Sequence, residues 1–198
     1  MKNPMFAVVL FMVVAATFAA DAAMPKVMVM VDEKALGSIS TSEIETMAVR
    51  MLGEKDIETV DQNMVQNNLE RIQKAFRGAG DNRAAAAMGR EFGADVVLIG
   101  EAVAKPNAAR IGDSNLRSYQ AAVSFRAVRT DNSVNIASAS ETASVVAMDD
   151  ITGSSKALKS AGEKALKGVI PQMVAKWEKP SAVGVKPGEK VSIGRAHV

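Results

Sequence analysis

Apolar and polar positions divide the chain into short strand-like runs and longer segments of helical period. Lys26 to Val31 (KVMVMV) is a compact apolar run with β-branched residues and predicts a buried strand. A polar turn over Asp32–Gly37 follows. Ser40-Thr41-Ser42-Glu43 then opens a helix, with Ser42 and Glu45 at capping-box spacing, as are Ser40 and Glu43. Ile44, Met47, Ala48, Met51 and Leu52 form its apolar stripe, and Gly53 marks its stop. Ile57 to Val60 is short and β-branched, which predicts a second strand. Asp61 caps a helix in which Val65, Leu69, Ile72 and Phe76 recur at helical steps, and Gly78-Ala79-Gly80 breaks it. Asp81 caps another through Ala84–Ala87, Met88 and Phe92, closed by Gly93.

The second half changes rhythm. Asp95 to Ala104 (DVVLIGEAVA) has an almost continuous apolar front half, the pattern of a central strand covered on both faces. Residues 105–116 (KPNAARIGDSNL) read as a polar loop. Tyr119 to Arg129 then alternates, with Ala121, Val123, Phe125 and Ala127 on one side and Ala122, Ser124, Arg126 and Val128 on the other. Thr130-Asp131-Asn132-Ser133 is a hairpin turn. Val134 to Met148 returns with Ser138, Ser140, Thr142 and Ser144 facing away from Ala137, Ala139, Ala143 and Val145, so one face of the pair is wet. Asp149-Asp150-Ile151-Thr152 starts a last helix. Its apolar face is Leu158, Ala161, Ala165, Val169, Met173 and Trp177, and Pro171 is expected to kink or divide it.

The resulting order, β-α-β-α-α-β-β-β-α, predicts an α+β (α/β) fold: a mixed sheet of about five strands with helices packed against it. Within it, Gly93-Ala94-Asp95-Val96-Val97-Leu98-Ile99-Gly100-Glu101, followed by a long hairpin bearing Arg129-Thr130-Asp131, resembles a group of envelope domains. The group comprises the TolB amino-terminal domain, the CsgG-like domain of curli secretion, the flagellar assembly protein T middle domain and the lipoprotein activator of penicillin-binding proteins. The resemblance covers Lys26 to Trp177 and implies a non-enzymatic accessory module that docks proteins in an envelope assembly. It transfers no catalytic residues. Asn132-Ser133 stands where the turn of such domains often has glycine, and the cysteine of the lipoprotein members is lacking, so the resemblance does not extend to outer-membrane anchoring or pore formation.

The amino terminus supplies an address. Met1-Lys2 precedes an apolar run from Phe6 to Phe18 and a small-residue exit, the pattern of a secretory signal peptide over residues 1–22. Cleavage after Ala19 or after Ala22 fits the small-x-small rule, and the second lies closer to the first strand. A retained anchor is the competing reading, but a span needs about 20 apolar residues and this run is shorter. The expected organisation is signal 1–22, a single domain over 23–179, and a flexible tail over 180–198 rich in Pro, Gly, Lys and Val. Export points to the periplasm of a Gram-negative bacterium, or to secretion, with no membrane span after cleavage.

Composition removes most chemistry. The formal charge of +2 survives loss of residues 1–22, which takes one cation (Lys2) and one anion (Asp21). That balance, with no basic cluster interleaved with aromatics, argues against nucleic acid. The chain has no cysteine, hence no disulfide, thiol chemistry or lipid attachment through cysteine. Met24, Met28 and Met30 invite a copper reading, yet Met28 and Met30 alternate within a strand-like run and read as core residues. The single histidine, His197, sits in the tail, so neither a catalytic triad nor a zinc site can be assembled. Gly78 and Gly80 lack the Lys-Ser or Lys-Thr of a phosphate loop.

Carboxylates are the remaining candidates. Asp32-Glu33 reads as a solvated turn, Asp149-Asp150 as a helix cap, and Glu101 as an outward strand residue. No catalytic, cofactor-binding or metal-ligating residue is assigned. The function expected is an exported periplasmic binding or assembly module that contacts envelope proteins through a sheet edge or the 105–116 loop. The alternatives are a carboxylate-dependent hydrolase using Asp32, Glu101 or Asp149, and a peptidoglycan-binding protein using the hydroxyl row.

Overall fold

The computed structural model describes residues 24–34, 42–68, 81–110 and 115–177. The expected signal segment 1–22, the expected helical positions Leu69, Ile72 and Phe76, the pair Gly78 and Gly80, and the tail 180–198 with His197 lie outside them. The elements are β1 (Val27–Lys34), α1 (Glu43–Gly53), α2 (Gln62–Asn67), α3 (Asn82–Glu91), β2 (Val96–Arg110), β3 (Arg117–Arg129), β4 (Asn135–Ala147) and α4 (Asp150–Lys176). The fold is α+β, with a four-stranded mixed sheet in the order β1-β2-β3-β4. β1 and β2 are parallel, and β3 and β4 follow antiparallel.

One strand fewer forms than the periodicity predicts. Ile57–Val60 contributes only a single parallel bridge between Thr59 and Val27, with Val27 N donating to Glu58 O and Val60 N to Val27 O. The run cannot lengthen because Asp61 immediately caps α2, its carboxylate accepting from Asn63 N at 2.9 Å. At the other end, the residues read as a loop from Lys105 are strand: β2 continues to Arg110, pairing Lys105 with Gln120 and Pro106 with Tyr119. β1 stops opposite Val103, so past that point β2 has no described strand on its β1 side. A proline that lacks a donor is therefore accommodated.

The even residues of β2 and odd residues of β3 face α1 and α4. Val96, Leu98, Ala121, Val123 and Ala127 pack there with Ile44 and Leu52 of α1 and the whole expected apolar face of α4. α4 runs unbroken through Pro171, so the helix is not divided there. Pro171 is exposed, so the carbonyl that loses its donor lies on the water side of the helix. Among the described residues the opposite face is covered only near the start of β1 and β2, where Met28, Met30 and Val97 bury against Val65 and Met88. Met28 and Met30 are core, as their alternation predicts, while Met24 is exposed.

The strand-entry motif is a piece of packing. Gly93 ends α3 with φ of 68°, a left-handed position that glycine adopts without steric cost. Gly100 faces the ring of Phe125, whose Cε1 lies 2.6 Å from where a Cβ would stand, so it makes room for a side chain rather than for a neighbouring backbone.

Candidate interaction site: an open sheet edge and its hydroxyl face

Beyond the patch covered by α2 and α3, the second face of the sheet is open among the described residues. β1 brings Asp32 and Lys34 to it, β2 brings Glu101, Val103 and Lys105, and β3 brings Gln120, Ala122, Ser124 and Arg126. β4 adds Ser138, Ser140, Thr142, Ser144 and Val146, all exposed. Short side chains keep this face flat, since a sheet's relief is set by what stands out of the pleat. A shallow depression of about 450 Å³ lies over the far end of β2 and β3, between Val103, Lys105, Gln120 and Ala122.

β4 forms the sheet's outer edge. β1 is bridged by Thr59, whereas β4 pairs only with β3 among the described residues. Its 13 residues carry no proline and no lysine. These are two of the usual devices that blunt an edge against strand addition. Glu141 is the only ionisable side chain on β4. It is exposed on the helix-covered side of the sheet, opposite Val123.

Charges on the open face are partly balanced. Lys34 pairs with Asp32 at 2.9 Å. That hydrogen bond, then the Asp32 charge, holds the Lys34 ammonium above its usual value, and Glu101 adds to the effect. Arg126 differs. It lies opposite Ile99 on β2 and Ser138 on β4, half-buried, and its shielded Nε has no hydrogen-bond partner.

The candidate acids separate. Asp32 and Glu101 are register partners on adjacent strands, both exposed, with Lys34 bonded to the first. Glu33 turns to the other face, where Oε2 accepts from the Ser42 hydroxyl at 2.7 Å and from Ile44 N at 3.3 Å. It thus takes a share in capping α1, while Ser42 accepts from Glu45 N at 3.1 Å. Glu45 turns away to accept from Gln66 Nε2 at 3.0 Å, so the capping box is half made. Asp149 caps α4 by accepting from Thr152 N at 2.8 Å. Asp150 accepts from the hydroxyl of Tyr119 at 2.6 Å, with Arg117 3.6 Å away. Asp149 is therefore occupied in capping α4 and Asp150 in holding Tyr119, and neither joins Asp32 and Glu101.

Among the described residues, no group of three or more His, Asp or Glu side chains could hold a metal ion, and no helix is long and apolar enough to cross a membrane. Sequence periodicity finds the hydroxyl row of β4 but not its place at the edge, which depends on sheet order. It also places Arg126 on the outward side of β3 without revealing that its charge is left unpaired.

No protein-family model and no curated protein matches the chain. Solved structures share its architecture. Lipoprotein GNA1162 from Neisseria meningitidis superposes with a TM-score of 0.50 at 15% identity, over 72% of this chain and 97% of that one. The hypothetical protein CT253 from Chlamydia trachomatis gives 0.47 at 13% identity, over 78% and 98%. The LpoB C-terminal domain from Escherichia coli gives 0.31 at 17% identity, over 63% and 87%. The last two superpose too loosely to bear on the fold. The likeness read from Gly93–Glu101 is therefore supported as far as the fold of a bacterial lipoprotein, and not for the TolB, CsgG-like or flagellar domains in particular.

Proposed function

We propose that this chain is an exported, non-enzymatic binding module of the bacterial cell envelope that engages a partner protein through the edge of β4. The observation that carries this reading is the 13-residue β4 edge, which no described strand covers, bordered by a flat row of hydroxyls. An edge of that length presents a row of backbone donors and acceptors, and strand addition is the interaction it fits. In this reading residues 1–22 direct export to the periplasm, with cleavage after Ala19 or Ala22, and the domain spans 23–179. The fold shared with a protein named as a lipoprotein supports the envelope address.

Lysines placed on an edge strand discourage pairing. The test is therefore affinity capture from cross-linked envelopes with wild type and with a Ser140→Lys/Thr142→Lys variant. The reading predicts one dominant partner whose recovery falls in the variant while the variant keeps the wild-type melting temperature. Equal recovery from both would contradict it.

A second reading, a carboxylate-dependent hydrolase, draws on the opposition of Asp32 and Glu101. It predicts that Asp32→Asn or Glu101→Gln abolishes an activity found by substrate screening of the wild type. A cell-wall reading of the hydroxyl face has less to support it, because the described open face offers no aromatic wall for a sugar ring.

A further inference from the structure

Three properties around β4 narrow what can bind there. Among the described residues Arg126 makes no ion pair, and its Nε has no hydrogen-bond partner. A guanidinium is charged at every relevant pH and wants a planar anion. Its neighbours are Ile99 on one side and Ser138 on the other, so only the β4 side is both small and polar. Glu101, diagonal to it on β2, is exposed and lies beside the Asp32–Lys34 pair. Glu141 is likewise without an ion pair and stands on the opposite face of β4, three residues further along.

A strand added to β4 would run about 9.6 Å from β3, two strand spacings of about 4.8 Å. Arg126 and an acidic side chain extending toward each other over Ser138 close that gap. Odd spacing along a strand reverses the face. A residue opposite Ser138 and one opposite Glu141 therefore project to the two different faces, each toward its charge.

We infer that the β4 edge, resting on the binding reading above, takes an extended segment of another protein that carries a carboxylate opposite Ser138 and a cation three residues away, opposite Glu141. The β4 edge of a second copy does not meet the requirement. The open-face residues of β4 are Ser138, Ser140, Thr142, Ser144 and Val146, so no register of β4 on β4 supplies a carboxylate to Arg126. The symmetric register centred on Glu141 also opposes two like charges, which is destabilising.

The experiment uses short alternating Thr/Val peptides on the exported, processed protein, read by amide chemical shifts. One peptide carries Lys and, three residues later, Glu, the order antiparallel addition needs; a second carries Glu and then Lys, the order parallel addition needs; two more carry Gln in place of Glu in each order. The expected result is binding of one of the two charged peptides along β4, about tenfold weaker for its Gln counterpart, the gap a charge-assisted hydrogen bond supports. Arg126→Gln abolishes that preference and Arg126→Lys restores part of it. Equal binding of all peptides to β4 would leave the edge reading standing and overturn the charge pairing. No peptide shifting any β4 amide would overturn both.

Discussion

The hydroxyl of Thr130 lies 2.9 Å from the carbonyl oxygen of Ala94 and 3.0 Å from that of Asp95, tying the β3–β4 turn to the entrance of β2. Thr130 N also donates to Asp95 O at 3.0 Å, and Arg90 of α3 donates to the Thr130 carbonyl. The two stretches that resemble envelope domains, one around Gly93-Ala94-Asp95 and one at Arg129-Thr130-Asp131, are thus two sides of one contact.

That contact sets the first prediction. A Cβ at Gly89 would stand 2.4 Å from Val97 Cγ2 and 2.5 Å from Thr130 Cγ2. Gly89→Ala forces α3 off the sheet and is expected to cost about 1–3 kcal/mol. Thr130→Val keeps the shape but removes the buried donor, at about 1–3 kcal/mol. Urea unfolding checks both, and wild-type stability in either variant would refute the linkage.

Tyr119 anchors the start of α4 to β3. It is fully buried and is the chain's one tyrosine, so its titration can be followed by absorbance without interference. The hydrogen bond to Asp150 comes first among the causes that raise its phenol above the ordinary value, and burial comes second. Asp150→Asn is expected to bring the titration down, and Tyr119→Phe to cost about 1 kcal/mol. An unmoved titration in Asp150→Asn would contradict the assignment.

Glu45 makes stability depend on pH. Burial raises its carboxyl above the usual range, against the hydrogen bonds from Gln66 and the Val31 backbone, and Glu33 adds to the rise. The folded state therefore holds this proton more tightly than the unfolded one. Its contribution is fully present below the unfolded value of about 4.3 and is lost as pH rises through the folded value. Glu45→Gln should flatten stability against pH in that window and gain stability at neutral pH. Unfolding midpoints measured across the window check this, and a parallel pH curve in the variant would refute it.

The β3–β4 turn places Ser133 at φ of 61°, a left-handed position that glycine adopts without steric cost. The left-handed backbone costs a side-chain-bearing residue about 1–2 kcal/mol, and glycine returns about half of that as unfolded-state entropy. Ser133→Gly is expected to stabilise by about 0.5 kcal/mol, read as a small rise in melting temperature. A fall would show that the Asn132 carboxamide, which accepts from Val134 N at 3.0 Å, is not enough to hold the turn.

Local signals were legible where one residue sufficed. Asp61, Asp81 and Asp149 accept at the helix starts they were expected to cap, and Gly93 takes the predicted left-handed position. The alternation of β3 and β4 gave the correct faces, because a half-wet sheet writes burial into a period of two. What failed was decided by neighbours. Ile57–Val60 has strand composition but is cut to one bridge with Val27 where Asp61 caps α2, and Lys105–Arg110 has loop composition but a strand beside it. Pro171 breaks a helix on propensity, yet the buried face of α4 carries the helix through it. The site was half legible: the hydroxyl row is periodic, but an edge is a property of sheet order, and Arg126 reads as an ordinary outward residue until its partners are counted.

The most direct measurement places a photo-crosslinking residue at Ser140, on the β4 edge, and separately at Lys55, an exposed position away from the sheet, in cells of the protein's own species. The account predicts one discrete adduct from Ser140, none of that size from Lys55, and its loss when Thr142→Lys is added. Adducts that are equally abundant from both positions, or indifferent to the lysine, would contradict it.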